Sequence, residues 1–460
     1  MRGQEEIQRN EWVGCRKLGE GLKVDTDKNF LKSLGYLGSW ILIAIISALM
    51  GVLVVGLFLA GIKWARGLVN ISSGSPLVIL LALGGSILAA LISRIAPGSR
   101  GEGIPSYIRG VRDDGGVIPF RESFVKLFSS FATLVSWGNG GFVGPLGRVV
   151  SGFTSSLIGL FKPAAGEHSH RRTAAICGVA SVVGVITGAP VGSGIFAVEI
   201  IQKRNMSYGD LFPSVLASSF AVFLSRYLSF SHFFEVNVVI APIRPEILPA
   251  LLITSLLTAL GGRGFELLYS GTTRLLKRDS HKGVELRFAG AAAVAVGLVW
   301  MVNPAMLGTG SGFLQQLFDN PLIVSGKMAG ILPLALAALL MVVVRSVSVG
   351  LTVGSGQSAG FFGPLAQIGM LLGTFTAFLF GYADNPGNLH ILQAAGLAGM
   401  LASALNVPIA AAVIVSEIFG PHLGFPAAIA AILGFQLNRH HTVYDNPELR
   451  QRSVNKLVEK

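Results

Sequence analysis

The chain has 460 residues, of which 51% are hydrophobic and only 13% charged. Soluble globular chains carry about 25% charged residues, so the composition is that of an integral membrane protein. The formal net charge of +12 accompanies no basic, aromatic-rich folded domain, and no nucleic-acid partner is expected.

Met1 to Asn29 is polar and charged without an apolar core, so no secretory signal peptide is expected there. Residues 1–36 carry Arg2, Arg9, Arg16, Lys17, Lys23, Lys28 and Lys32, and residues 439–460 carry Arg439, Arg450, Arg452, Lys456 and Lys460. Basic residues favour the cytoplasmic side. Both end segments are therefore expected in the cytoplasm, with an even number of crossings between them in a plasma (inner) membrane. Leu37–Ile62 is the first uncharged apolar run, long enough for a hydrocarbon core of about 30 Å, which needs roughly 20 helical residues. Pro76–Ser93 reads as a second spanning helix and Ile331–Val344 as a third. Val149–Phe161 and Ala174–Thr187 are short or interrupted by glycine, which predicts partial or tilted helices. Runs without period-2 alternation exclude a barrel, and lipid leaves helices as the other option. The expected class is an all-α polytopic membrane protein.

The cysteines are Cys15 and Cys177, so neither a disulfide framework nor a clustered metal site is predicted. His168-Ser169-His170 lacks a third ligand at suitable spacing, and no cofactor is expected.

An internal repeat organises the chain. Gly141-Phe142-Val143-Gly144-Pro145-Leu146 returns as Gly360-Phe361-Phe362-Gly363-Pro364-Leu365. At nearly the same offset, Gly188–Ile200 returns as Asn406–Ile418, each with a proline followed nine residues later by a glutamate: Pro190 to Glu199, and Pro408 to Glu417. This predicts two related membrane halves, 37–229 and 247–438, joined by a linker over 230–246. The 59 glycines allow close approach of helix backbones. Duplicated halves with Gly/Pro breaks at matching places point to a transporter-type binding site.

Such breaks have a chemical use. A helix N-terminus presents unpaired N–H groups and about half a positive charge, and so binds anions without a fixed cation. Proline suits the first turn because its missing N–H costs nothing there. Gly101-Glu102-Gly103-Ile104-Pro105, Gly141–Pro145 and Gly360–Pro364 all follow this pattern. Converging at mid-membrane, they would form an anion site.

These three stretches resemble the signature motifs of the CLC chloride channel and transporter family, G-S-G-I-P, G-(K/R)-E-G-P and G-x-F-x-P. Segments through Glu199, at Gly308–Gly312, at Ser355–Gly369 and through Glu417 are similar to that family in the same order. The resemblance implies a homodimer embedded in lipid, each subunit having two inverted-topology halves of many tilted and partially spanning helices and its own pathway for chloride or another small inorganic ion. No cytoplasmic regulatory domain is expected after residue 460.

The departures from the family pattern decide the expected mechanism. The gating, proton-accepting glutamate of G-(K/R)-E-G-P is Val143 here, and the basic residue before it is Phe142. The inner glutamate of the family's exchangers is Ile200. The serine of G-S-G-I-P that contacts the central anion is Glu102, while Tyr444 matches the tyrosine completing that site. Phe361 and Phe362 match the pair whose backbone N–H groups face the ion. Passive, channel-like anion movement without proton coupling follows. The alternatives are a proton-linked exchanger using Glu102, or a pore for another ion, including a cation drawn to that carboxylate.

Blander roles stand beside these. Glu102 facing only a cytoplasmic vestibule and Tyr444 in an interfacial belt are the simple readings of those residues. Glu199 and Glu417 are expected to be structural carboxylates capping broken helices. Arg148 is a candidate to line the pore, to neutralise Glu102, or to be an ordinary snorkelling or paired arginine. Gly356–Gly360 also fits the G-x-S-x-G nucleophile elbow, which needs a preceding strand and a histidine base. All eight histidines, His168, His170, His440 and His441 among them, read as lying in polar or terminal segments. A serine hydrolase at Ser358 is therefore a remote alternative, and no enzyme is expected.

Overall fold

A computed structural model describes residues 2–161, 170–201, 206–230, 242–277 and 283–444, with side chains from residue 34 onward except at Tyr36 and Lys277. His168, Ser169, most of the proposed linker and the tail from 445 lie outside the described residues, as do the side chains of the basic N-terminal segment.

The described elements are helices. The first half holds α1 (Arg2–Val69), α2 (Leu77–Ile95), α3 (Ile104–Arg112), α4 (Phe120–Val135), α5 (Val143–Phe161), α6 (His170–Thr187), α7 (Pro190–Glu199) and α8 (Tyr208–Tyr227). The second holds α9 (Leu248–Lys277), α10 (Val284–Val302), α11 (Ser311–Asp319), α12 (Leu334–Gly354), α13 (Phe362–Leu379), α14 (Pro386–Leu405), α15 (Pro408–Phe419) and α16 (Gly424–Asn438). Among the described residues, 8 helices are long and apolar enough to cross a membrane. The three spans read from sequence fall in α1, α2 and α12.

Two expected partial helices are longer than the sequence suggested. α5 runs back to Val143, and α6 begins at His170. Their polar and glycine positions face protein rather than lipid, and every residue of α6 from Thr173 to Thr187 is buried. Low hydropathy thus marks central helices here, not short ones. α13 and α14 pack with similar closeness: a Cβ at Gly396 would stand 2.2 Å from the Gly369 carbonyl oxygen.

The repeat appears as reciprocal contacts between the halves. Just before α5 and α13, the Gly141 N–H donates to the Gly360 carbonyl at 2.7 Å and the Gly360 N–H to the Gly141 carbonyl at 2.6 Å. This antiparallel bridge joins the two breaks. A side chain at Gly360 would begin 2.9 Å from Pro145 Cδ and 3.0 Å from the Gly144 nitrogen. A second exchange links α7 and α15. Glu417 accepts the N–H groups of Val191 (3.0 Å) and Gly192 (2.8 Å), while Glu199 accepts those of Ile409 (3.1 Å) and Ala410 (2.8 Å). Each carboxylate caps the N-terminus of the other half's helix, where open N–H groups and the helix dipole favour an anion.

Glu199→Leu leaves two N–H groups at the start of α15 without their acceptor. It should cost on the order of 2–4 kcal/mol, as loss of charged hydrogen-bond partners in a buried setting does. A drop in detergent-solubilised melting temperature, with Glu199→Gln intermediate, would show it.

Candidate anion site

The sequence Gly101-Glu102-Gly103 bends sharply into α3, with Gly101 at φ 75° and Gly103 at φ 125°. Those left-handed values favour glycine, and they turn the intervening Glu102 inward. The Gly101 N–H donates to the Gly356 carbonyl at 2.9 Å, tying this bend to the loop ahead of α13. Glu102 is 4% exposed, so its carboxylate lies inside the protein and not merely in a vestibule. Its Oε2 accepts the Ile104 N–H, at the start of α3, at 2.6 Å. The Phe361 N–H, at the start of α13, is a further backbone donor to it. Tyr444 Oη donates to Oε1 at 3.4 Å. From the third N-terminus, α5 contributes space: a Cβ at Gly144 would stand 1.8 Å from Glu102 Oε1.

The structure therefore brings Glu102, Gly103, Ile104, Gly144, Phe361 and Tyr444 together. The prolines of the three motifs lie in the first turns of their helices, Pro105 in α3, Pro145 in α5 and Pro364 in α13. The Phe361 ring is boxed by Phe265, Tyr269 and Tyr444, with centroids at 5.5, 4.8 and 6.1 Å. Phe362 packs edge-on against Phe196 at 5.7 Å. Phe142 and Val143 are buried. Ile200 caps α7 beside Glu199, whose oxygens are occupied by α15.

Packing places two buried cations here. Arg148 neither lines the site as a free cation nor neutralises Glu102. It is the paired arginine, meeting Glu122 at 3.0 Å, Ser123 Oγ at 2.6 Å and Ser106 Oγ at 2.9 Å. The cation nearest Glu102 in role is Lys126 of α4, missed in the sequence. It is buried, donates to the carbonyls of Ser99 (3.0 Å) and Gly101 (2.7 Å), and interacts electrostatically with Glu102. A lone lysine between apolar residues, as in Phe124-Val125-Lys126-Leu127-Phe128, is the signal that could have found it, since ionisable groups at membrane depth tend to be functional.

The elbow reading of Ser358 fails on geometry. Helix α12, not a strand, precedes it, and its hydroxyl meets Ser130 Oγ at 2.7 Å. His390 departs from the expectation for the histidines, being buried in α14 and stacked on Phe318 at 3.9 Å. Among the described residues, no group of three His, Cys, Asp or Glu side chains could hold a metal ion.

Comparison with known proteins identifies the family. The family model described as voltage gated chloride channel matches residues 84–439. The chain belongs to that family. As a CLC member it is a membrane protein of anion transport, channel or antiporter. A chloride/fluoride channel protein of Pseudomonas syringae pv. tomato is 24% identical over 431 residues, covering 90% of this chain and 87% of the relative. An uncharacterized protein of Methanocaldococcus jannaschii is 25% identical over 353 residues, covering 75% and 81%. The fold is also similar to a CLC-type fluoride/proton antiporter (TM-score 0.72, 20% identity, 90% of this chain and 98% of that one). A slow cyanobacterial Cl-/H+ antiporter gives TM-score 0.74 at 16% identity, covering 92% and 98%. These likenesses establish two inverted-topology halves of tilted and partially spanning helices.

If the backbone around the site matters more than the aromatic side chains, Gly360→Val should impair anion flux more than Phe361→Leu. Flux from liposomes loaded with equal amounts of folded protein tests the order, and the reverse order would contradict a site built on helix N-termini.

Proposed function

We propose that the chain moves small inorganic anions, with chloride as the default, passively and without proton coupling. The path passes the N-termini of α3, α5 and α13, through the positions Gly101–Pro105, Gly141–Pro145, Gly360–Pro364 and Tyr444. The observation that carries this reading is the Glu102 carboxylate resting on the N–H groups of Ile104 and Phe361 beside Tyr444. Those are the donors a bound anion needs, so the side chain acts as a tethered occupant of the anion's place. Val143 and Ile200, at the two positions where the family's exchangers carry protons, have no titratable group. The name of the Pseudomonas relative, a chloride/fluoride channel protein, supports the substrate class. Lys126 beside Glu102 speaks against a cation pore, because it offsets the attraction of the carboxylate.

The same reading takes the protein as a homodimer in a plasma or inner membrane, with both end segments cytoplasmic and membrane halves at 37–229 and 247–438. The two structural neighbours, both antiporters, together with a titratable Glu102 in the site, favour one second reading, a proton-linked exchanger using Glu102.

A chloride gradient imposed across proteoliposomes separates the two. Passive movement leaves the external pH unchanged apart from leak. Uphill proton movement that survives controls would promote the exchanger.

Glu102 gives a further expectation. Neighbouring N–H groups favour its charged form and burial favours the neutral acid, but the sign for transport is fixed by occupancy. Protonation removes the competing charge and leaves an O–H donor. Acidification should therefore raise anion flux, and Glu102→Gln should be fast and insensitive to pH. Superimposable flux–pH profiles of wild type and Glu102→Gln would remove Glu102 from the pathway. Cation flux exceeding anion flux in wild type, and abolished by Glu102→Gln, would favour a cation pore.

A further inference from the structure

Three cations are almost wholly buried among the described residues: Lys126 (1% exposed), Arg148 (2%) and Arg345 (0%). Lys126 lies near Glu102 and Arg148 pairs with Glu122. Arg345, in α12, has no carboxylate partner among the described residues. Its Nη atoms donate to Asn139 Oδ1 (3.2 Å) and to the carbonyls of Met306 (2.9 Å) and Gly308 (3.0 Å), and its Nε has no partner. Buried charges are normally paired, so the missing partner calls for an explanation.

A second guanidinium stands at the same loop. Arg66, near the end of α1, is half-buried and likewise has no carboxylate partner among the described residues. It lies over the Trp137 ring at 4.6 Å and donates to the carbonyls of Leu134 and Val135 in the last turn of α4. A side chain at Gly308 would begin 3.1 Å from Arg66 Nη2. Gly308 thus sits between the two guanidiniums, with its carbonyl toward Arg345 and its open side toward Arg66. The half-buried hydroxyls of Thr309 and Ser311, 3.3 Å apart, follow directly. Carbonyl dipoles at the end of α4 offset only about half a charge, which leaves the group of two arginines net positive.

This cluster is separate from the Glu102 centre. The Gly140 N–H donates to the Gly308 carbonyl at 3.3 Å and the Gly308 N–H to Asn139 Oδ1 at 3.2 Å, on the stretch that leads into the Gly141–Gly360 bridge. Along α4, Val135 is about 14 Å from Lys126 at 1.5 Å per residue. The arginines therefore lie at the C-terminal end of α4, well removed from Lys126 near its middle.

We infer that Arg66, Gly308 and Arg345 form a second site for a small monovalent inorganic anion, at the end of the pathway away from Glu102. Arg66, partly open to solvent, makes the direct contact, and Arg345 supplies the fixed charge behind it. The ion completes the charge balance that no carboxylate among the described residues provides. The inference rests on the anion reading above for its substrate, but its site can be tested without transport.

The test is anomalous diffraction from the full-length protein crystallised in bromide, together with the concentration dependence of chloride flux in liposomes. A bromide peak beside Gly308 and Arg66 is expected in wild type, lost in Arg66→Gln and kept in Arg66→Lys. Arg66→Gln should raise the half-saturating chloride concentration severalfold while maximal flux stays within about twofold, as expected when a charged contact at one end is lost. Arg66→Lys should restore most of the shift. Absence of the peak in wild type, or its survival in Arg66→Gln, overturns the site. A lowered maximal flux with an unchanged half-saturating concentration would make Arg66 merely structural and overturns it too. If the peak is present while no anion crosses the membrane, the proposed transport fails and the binding site stands.

Discussion

Open N–H groups at helix N-termini, placed where no water can satisfy them, are the constraint on which this architecture depends. A chain that breaks its helices inside a membrane must supply each break with an acceptor. Three breaks are answered by carboxylates: Glu417 on α7, Glu199 on α15 and Glu102 on α3. The first two reach across from the opposite half and each take two N–H groups, so they close their sites and lock the halves together. Glu102 is different. It sits only two residues before the N–H it accepts, on a bend flanked by glycines at positive φ. Its cap on α3 is local, while the same carboxylate also takes the Phe361 N–H of the other half, and under the proposed function an anion would compete for these donors. The same physical device thus serves as a clasp in two places and, in the third, as a carboxylate seated at the candidate site.

The bridge between Gly141 and Gly360 explains why the site is shared by both halves. Two hydrogen bonds fix the loops ahead of α5 and α13 against each other, and the absence of side chains lets Gly360 approach Gly144 and Pro145. Gly144 in turn leaves the space that the Glu102 carboxylate fills. A methyl group at Gly360 would press on the start of α5, and one at Gly144 would displace the Glu102 carboxylate. The cations obey the same geometry: Lys126 holds the Gly101 carbonyl on the Glu102 side, and Arg345 holds Gly308 beyond the bridge.

Much of this was legible in the chain. Composition and uncharged runs determined a helical membrane protein, because lipid permits few backbone arrangements. The repeated Gly-Phe-Xaa-Gly-Pro and Pro-to-Glu spacings determined two related halves and located the broken helices, because glycine and proline have backbone preferences that act locally. The same local reading placed Glu102 in a motif where a helix begins. It underestimated α5 and α6, since their small and polar residues look unfit for lipid until other helices surround them.

Partners distant in the chain were decided only by the tertiary structure. Arg148 has candidate carboxylates on several sides, and only packing of α4 against α5 selects Glu122. Glu199 and Glu417 announce caps, but not that each serves the other half's helix. Lys126 and Arg345 are visible as charges in apolar runs, yet among the described residues one gains a carboxylate neighbour and the other does not. Sequence fixes which groups must be satisfied. Satisfaction itself is a matter of three-dimensional distance, because hydrogen bonds and buried charges respond to neighbours within a few ångströms, however far apart those neighbours lie along the chain.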